Sequence, residues 1–186
     1  MVLVESLNWI ADRLRQNILD PLTNTISGRA WIIQTHATQQ DKNYPRIGMQ
    51  IIDAPQQIAY LDDGLVESDE KSRYHDITVQ LNVDVLHGTE AIVGYESRNF
   101  EYPGTATNAL LKNMISDNVI ELLETLGCGG ATTQSINSNM DVIRLDNINA
   151  YDRDETDEEV VTSRIIFQGV YRKVIRFRLR VESRRT

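Results

Sequence analysis

The sequence predicts an α+β domain, a mainly antiparallel sheet with two amphipathic helices packed on one face. Three observations carry this. Residues 2–19 and 107–126 place apolar side chains at helical spacing. Residues 77–85, ITVQLNVDV, alternate apolar and polar with a period of two. The order along the chain is helix, strands, helix, strands, and a sheet with both helices on one face is the economical way to bury the apolar sides.

In the first helix the stripe is Leu3, Leu7, Ile10, Leu14 and Ile18, with Glu5, Asp12, Arg13 and Arg15 between, and Pro21 closes it. Segments 29–35 and 46–52 read as strands, separated by a polar loop at 36–45, and 57–61 as a further strand. Asp62, Asp63, Glu67, Asp69 and Glu70 make the stretch after it an exposed acidic loop. The alternation at 77–85 marks a strand buried on one side and wet, or covered by a polar contact, on the other. A turn at His87-Gly88 leads to 91–102, which stops at Pro103-Gly104. The second helix has Leu111, Ile115, Val119, Leu122 and Leu126, widened by Leu110, Met114 and Leu123. Thr107 suits its N-cap and Gly127 its C-terminal turn. A small-residue loop at 128–139, the segment 140–151 and an acidic loop at 152–159 follow. The final apolar stretch from 160 to 181 exceeds the usual strand length, so Gly169 is expected to mark a bulge or bend.

The chain of 186 residues suits one domain with a real core. No apolar run approaches the roughly 20 residues that span a bilayer. The opening MVLVESLNWIADRLRQ does not read as a secretory signal. The single cysteine, Cys128, excludes an internal disulfide and fits a reducing cytoplasm. Charge is unevenly placed. Residues 1–161 hold 26 acidic and 11 basic residues, whereas 162–186 hold 1 acidic and 8 basic. An acidic body with a basic end is poorly suited to generic nucleic-acid binding and well suited to head-to-tail association.

No catalytic constellation emerges, so the chain is expected not to be an enzyme. His36, His75 and His87 are scattered and Cys128 has no cysteine partner, so neither a metal site nor a bound cofactor is expected. LGCGGAT at 126–132 follows a helix instead of opening one, which favours a helix-end turn over a phosphate cradle. His75 and Asp76 are adjacent in a strand and point to opposite faces. Asp152, Asp154 and Glu155 lack the glycine and final glutamate of a calcium loop.

The terminal stretch VIRFRLRVESRRT sets Ile175, Phe177, Leu179 and Val181 against Arg176, Arg178, Arg180 and Glu182. It reads as a solvated edge strand, a nucleic-acid contact, or a bridge to another subunit. The alternation commits one face to packing and favours the first or the third. The chain therefore divides into an α+β domain at 1–173 and a basic C-terminal strand or extension at 174–186. Arg172, Arg176, Arg178, Arg180, Phe177 and Leu179 are the expected interface residues.

The stretches RIGMQII, HDITVQLNVDVLHG, NALLKNMISDNVIELLETLG and SRIIFQGVYRKV, in this order, resemble the tail terminator (tail-completion) and neck proteins of long-tailed bacteriophages and archaeal tailed viruses. The resemblance is one of layout and covers most of residues 1–175. It implies a non-enzymatic virion protein at the junction of tail and neck, assembled in the host cytoplasm. Such a protein forms a homo-oligomeric ring, typically a hexamer, on the tail tube protein and presents a surface to neck and connector proteins. DNA would pass through the lumen without specific binding, and no membrane is involved. Asp152, Asp154, Glu155, Asp157, Glu158 and Glu159 would then form an acidic loop suited to the lumen. The stretch 36–76 is longer and more acidic than the family layout needs, and 174–186 runs past the point where its closing hairpin should stop. The alternatives are another neck or adaptor protein of the head–tail junction, or a nucleic-acid-binding accessory protein using Arg176, Arg178, Arg180, Arg184 and Arg185.

Overall fold

The computed structural model describes residues 2–20, 31–33, 45–54, 56–57, 72–86, 108–128, 134–153, 155–161 and 164–184. Two helices, α1 (Val2–Asn17) and α2 (Asn108–Cys128), accompany eight strands. These are β1 (Ile32–Ile33), β2 (Arg46–Asp53), β3 (Gln56–Gln57), β4 (Ser72–Leu86), β5 (Gln134–Asn137), β6 (Met140–Asp152), β7 (Glu155–Val161) and β8 (Arg164–Arg184). Five strands form an antiparallel backbone in the order β2-β4-β8-β6-β5. The short β1 adds in parallel beside β2, β3 pairs with β4, and β7 pairs with β8. The fold is α+β, as expected.

Antiparallel register makes parity the organising fact. Ile77, Val79 and Leu81 of β4 stand opposite Leu179, Phe177 and Ile175 of β8. These odd-numbered residues form one core with both helices: Trp9, Ile10 and Leu14 from α1, and Leu111, Ile115, Val119 and Leu123 from α2. Each such side chain contributes about 1.5–3 kcal/mol when fully buried. Two members of the expected helical stripes lie outside this core. Leu3 is exposed near the start of α1, and Met114 faces away from the sheet.

Four local expectations are corrected. Gly127 lies inside α2 and does not follow it; a Cβ there would come within 2.5 Å of the Leu145 carbonyl oxygen, so glycine lets the helix end approach β6. The expected loop at 128–139 contains β5, which turns back on β6. Of the expected acidic loop at 152–159, Asp152 ends β6 and 155–159 belong to β7. Gly169 makes no bulge: β8 pairs with β7 in unbroken register through Thr156 and Gly169. Opposite β8 the register shifts fall in β6, at 142–144 and 146–149, and two others lie at 51–53 in β2 and 135–137 in β5. Asn147 takes a left-handed backbone, φ 55°, a conformation asparagine tolerates better than most residues. Thr107, Asp154 and the acidic segment 62–70 lie outside the described residues, as do His36, His87 and 91–102.

The sequence boundary at 173/174 is also corrected. β8 runs through it unbroken, and residues 174–184 lie between β4 and β6 at the centre of the sheet. The terminal stretch is therefore neither an edge strand nor an appendage.

Candidate functional site: the arginine face of the sheet

The face opposite the helices is built from the even-numbered residues of β4 and β8. Register sets Asp76 opposite Arg180, Gln80 opposite Arg176 and Asp84 opposite Arg172. From β6, Asp146 stands opposite Arg178. Each of these four arginines thus meets a polar partner on an adjacent strand, and their pairing follows from strand geometry.

The contacts are short and mostly two-pronged. Arg180 donates from Nε and Nη2 to the two oxygens of Asp76 at 2.7 and 2.8 Å. Arg178 donates likewise to Asp146 at 3.0 and 3.2 Å, and Arg144 adds its Nε to the same carboxylate at 2.5 Å. Arg172 grips Asp84 at 2.6 and 3.1 Å, and Arg46 donates to it from the other side at 3.3 Å. Arg176 has a different setting. Its Nε donates to the Gln80 side-chain oxygen at 2.9 Å, and its guanidinium lies 5.4 Å from the centre of the Tyr151 ring. Gln80 in turn donates to Asn82 at 2.9 Å. At the far end, Arg184 reaches Asp141 at 2.8 Å.

Burial divides these pairs into two kinds. Arg46 and Asp84 are 1% and 2% exposed, so both charges have left water and depend on each other and on Arg172. Removing one member of such a set costs about 3–5 kcal/mol because the other is left buried. Arg178 and Arg180 are each 37% exposed, so water still screens their guanidinia and these pairs contribute less than the sealed set. The hydrogen bond from Arg180 holds the Asp76 carboxyl below its ordinary range, against partial burial that would raise it. Arg178 and Arg180 are raised, each chiefly by the hydrogen bond to its aspartate.

A second ionic site lies on the helix side. Buried Lys112 of α2 donates to Asp152 at 2.7 Å, and Lys173 reaches the same carboxylate at 3.4 Å. Lys112 also stands 5.7 Å from the centre of the Tyr171 ring. The Lys112 hydrogen bond lowers the Asp152 pKa. Asp152 therefore ties α2 to the sheet and is not part of a solvated loop.

The expected interface residues are thus redistributed. Phe177 and Leu179 are buried within the subunit's own core and are not free to pack on a neighbour. Arg172, Arg176, Arg178 and Arg180 share one face, but each first serves a partner in the same chain. Glu155, Asp157, Glu158 and Glu159 belong to β7. Of the carboxylates that organise the face, Asp84 and Asp146 were not singled out from sequence, and Asp76 was considered only beside His75. The signal for two of them was the polar half of the alternation at 77–85 and its flank.

Among the described residues, no group of His, Cys, Asp and Glu could hold a metal ion, and no helix is long and apolar enough to cross a membrane. No protein-family model and no curated protein matches the chain. Geometry and charge are therefore the grounds for a functional reading.

Proposed function

We propose that this chain is a structural virion protein, a tail terminator whose subunits close into a ring, hexameric by family resemblance, on the end of the tail tube. The ring would join the tube to the neck and let DNA pass. The observation that carries the reading is the order of elements. A helix, an antiparallel unit and a second helix on the same face are closed by a long hairpin of β6–β7 against β8. Among the described residues β4 ends at Leu86 opposite Val170, while β8 begins six residues earlier, at Arg164, paired with β7.

Light scattering and negative-stain electron microscopy of the purified chain test this, alone and with tail tubes. A ring of defined mass that sits on tube ends is the expected result. A strict monomer that ignores tube ends at all concentrations would refute it. Salt-sensitive retention on duplex DNA by that monomer would favour the nucleic-acid reading instead.

A further inference from the structure

We propose that the arginine face receives the acidic strand β7 of a second copy of this chain, with Arg144, Arg176, Arg178 and Arg180 meeting Glu155, Asp157 and Glu159. Three observations converge on this pairing. The first is a surplus of positive charge. Arg144, Arg178 and Arg180 share two carboxylates, Asp146 and Asp76, while Arg176 is held by an amide and an aromatic ring. Four guanidinia thus stand over two carboxylates, and two-pronged arginine pairs leave further N–H groups to donate.

The second observation is position. Glu155, Asp157 and Glu159 pair in register with Val170, Gln168 and Ile166. Those are even-numbered positions of β8, so the acidic ladder belongs to the same register face as Arg176, Arg178 and Arg180. Both ladders repeat every second residue, about 6.8 Å along a strand, so they match rung for rung. They cannot meet within one chain. Val170 and Arg176 are six residues apart on the same strand, about 20 Å.

The third observation decides the class of partner. A phosphate backbone running along β8 from Arg180 toward Val170 would pass from the arginine positions to the register positions of Glu155, Asp157 and Glu159, on a chain of net charge −8. A partner that carries acidic residues at strand spacing is the chain itself. Each copy carries both halves, and a ring uses one half toward each neighbour. The inference concerns the contact between copies and does not depend on what the assembly caps.

Charge exchange tests it with full-length protein. One variant carries Arg144→Glu and Arg176→Glu, which leaves the Arg178–Asp146 and Arg180–Asp76 pairs in place. The other carries Glu155→Lys, Asp157→Lys and Glu159→Lys. Each alone should weaken self-association about tenfold or more at low salt, since like charges then face each other. Mixing the two should restore association, because the unlike ladders again meet. Thermal melts check that each is folded; if the glutamate variant melts early, Arg144→Gln with Arg176→Gln replaces it. Association unchanged in both folded variants, or no restoration on mixing, would overturn the proposal. So would a wild-type chain that stays monomeric at low salt. DNA retention lost in the arginine variant, with self-association unaffected, would assign the patch to phosphate instead.

Discussion

The two faces of β8 solve opposite problems with adjacent residues. The odd-numbered face carries Ile175, Phe177, Leu179 and Val181 and needs only to exclude water. The even-numbered face carries Arg172, Arg176, Arg178 and Arg180 and needs a partner for each charge. Hydrophobic burial is non-directional and sums over area. Ionic pairing is directional, and its worth depends on how much water remains. One strand at the centre of a sheet therefore contributes strongly from one side and sparingly from the other, except where Arg46 and Asp84 are sealed from solvent.

Removing the apolar face should have the largest effect. Phe177→Ala leaves a cavity in the core between sheet and helices and should cost about 3–5 kcal/mol by denaturant unfolding. Truncation at 174 removes most of the part of β8 that lies between β4 and β6 and should abolish the cooperative transition. A truncated chain that melts like the full one would show that β8 is not the sheet's centre.

The sealed part of the polar face comes next. Asp84→Ala takes one carboxylate from buried Arg46 and from Arg172 and should cost about 3 kcal/mol. Replacing the pair together, Arg46→Met with Asp84→Leu, should cost clearly less. Equal losses in the two variants would mean that the cost lies in packing rather than in stranded charge.

The wet part should respond least. Arg180→Ala should cost about 1 kcal/mol or less. Its pH signature is sharper than its size. Asp76 and Asp152 have lowered folded-state pKa values, so the unfolded chain takes up their protons more readily. Their contribution is present above the unfolded value of about 3.9 and is lost as pH falls through the lower folded value. His75 is lowered by burial, with Arg73 adding to it, so protonation also favours the unfolded chain, beginning below about 6.5. Melting temperature against pH should fall in two stages on acidification. His75→Gln should remove the upper stage, and Asp76→Asn should reduce the lower one.

Much of the odd-numbered face was legible. Ile77 to Val85 and Ile175 to Val181 alternate without interruption, and a period of two has few other solutions. β6 was harder to read. Its core residues are Met140, Val142 and Leu145, with Ile148 and Ala150 packed at the margin, because two bulges reset the parity. No propensity marks those bulges except Asn147. The acidic run 152–159 looked like solvated loop by composition, yet much of it pairs with Arg164–Val170, a contact that only the return of the chain supplies.

By itself the sequence determined the two helices, the central strands, their apolar faces and the opposition of an acidic body to a basic end. These depend on local periodicity and on charge, which neighbours in the chain carry without help. Tertiary structure alone decided where the arginines go. A side-chain pair across a sheet depends on which strands are adjacent and in what register, and Asp76 and Arg180 are 104 residues apart in the chain. The same guanidinium would serve a partner protein at an edge, where it stays in water. At the centre of the sheet it first answers the aspartate of its own neighbouring strand, because the register holds that aspartate within reach before any other molecule arrives.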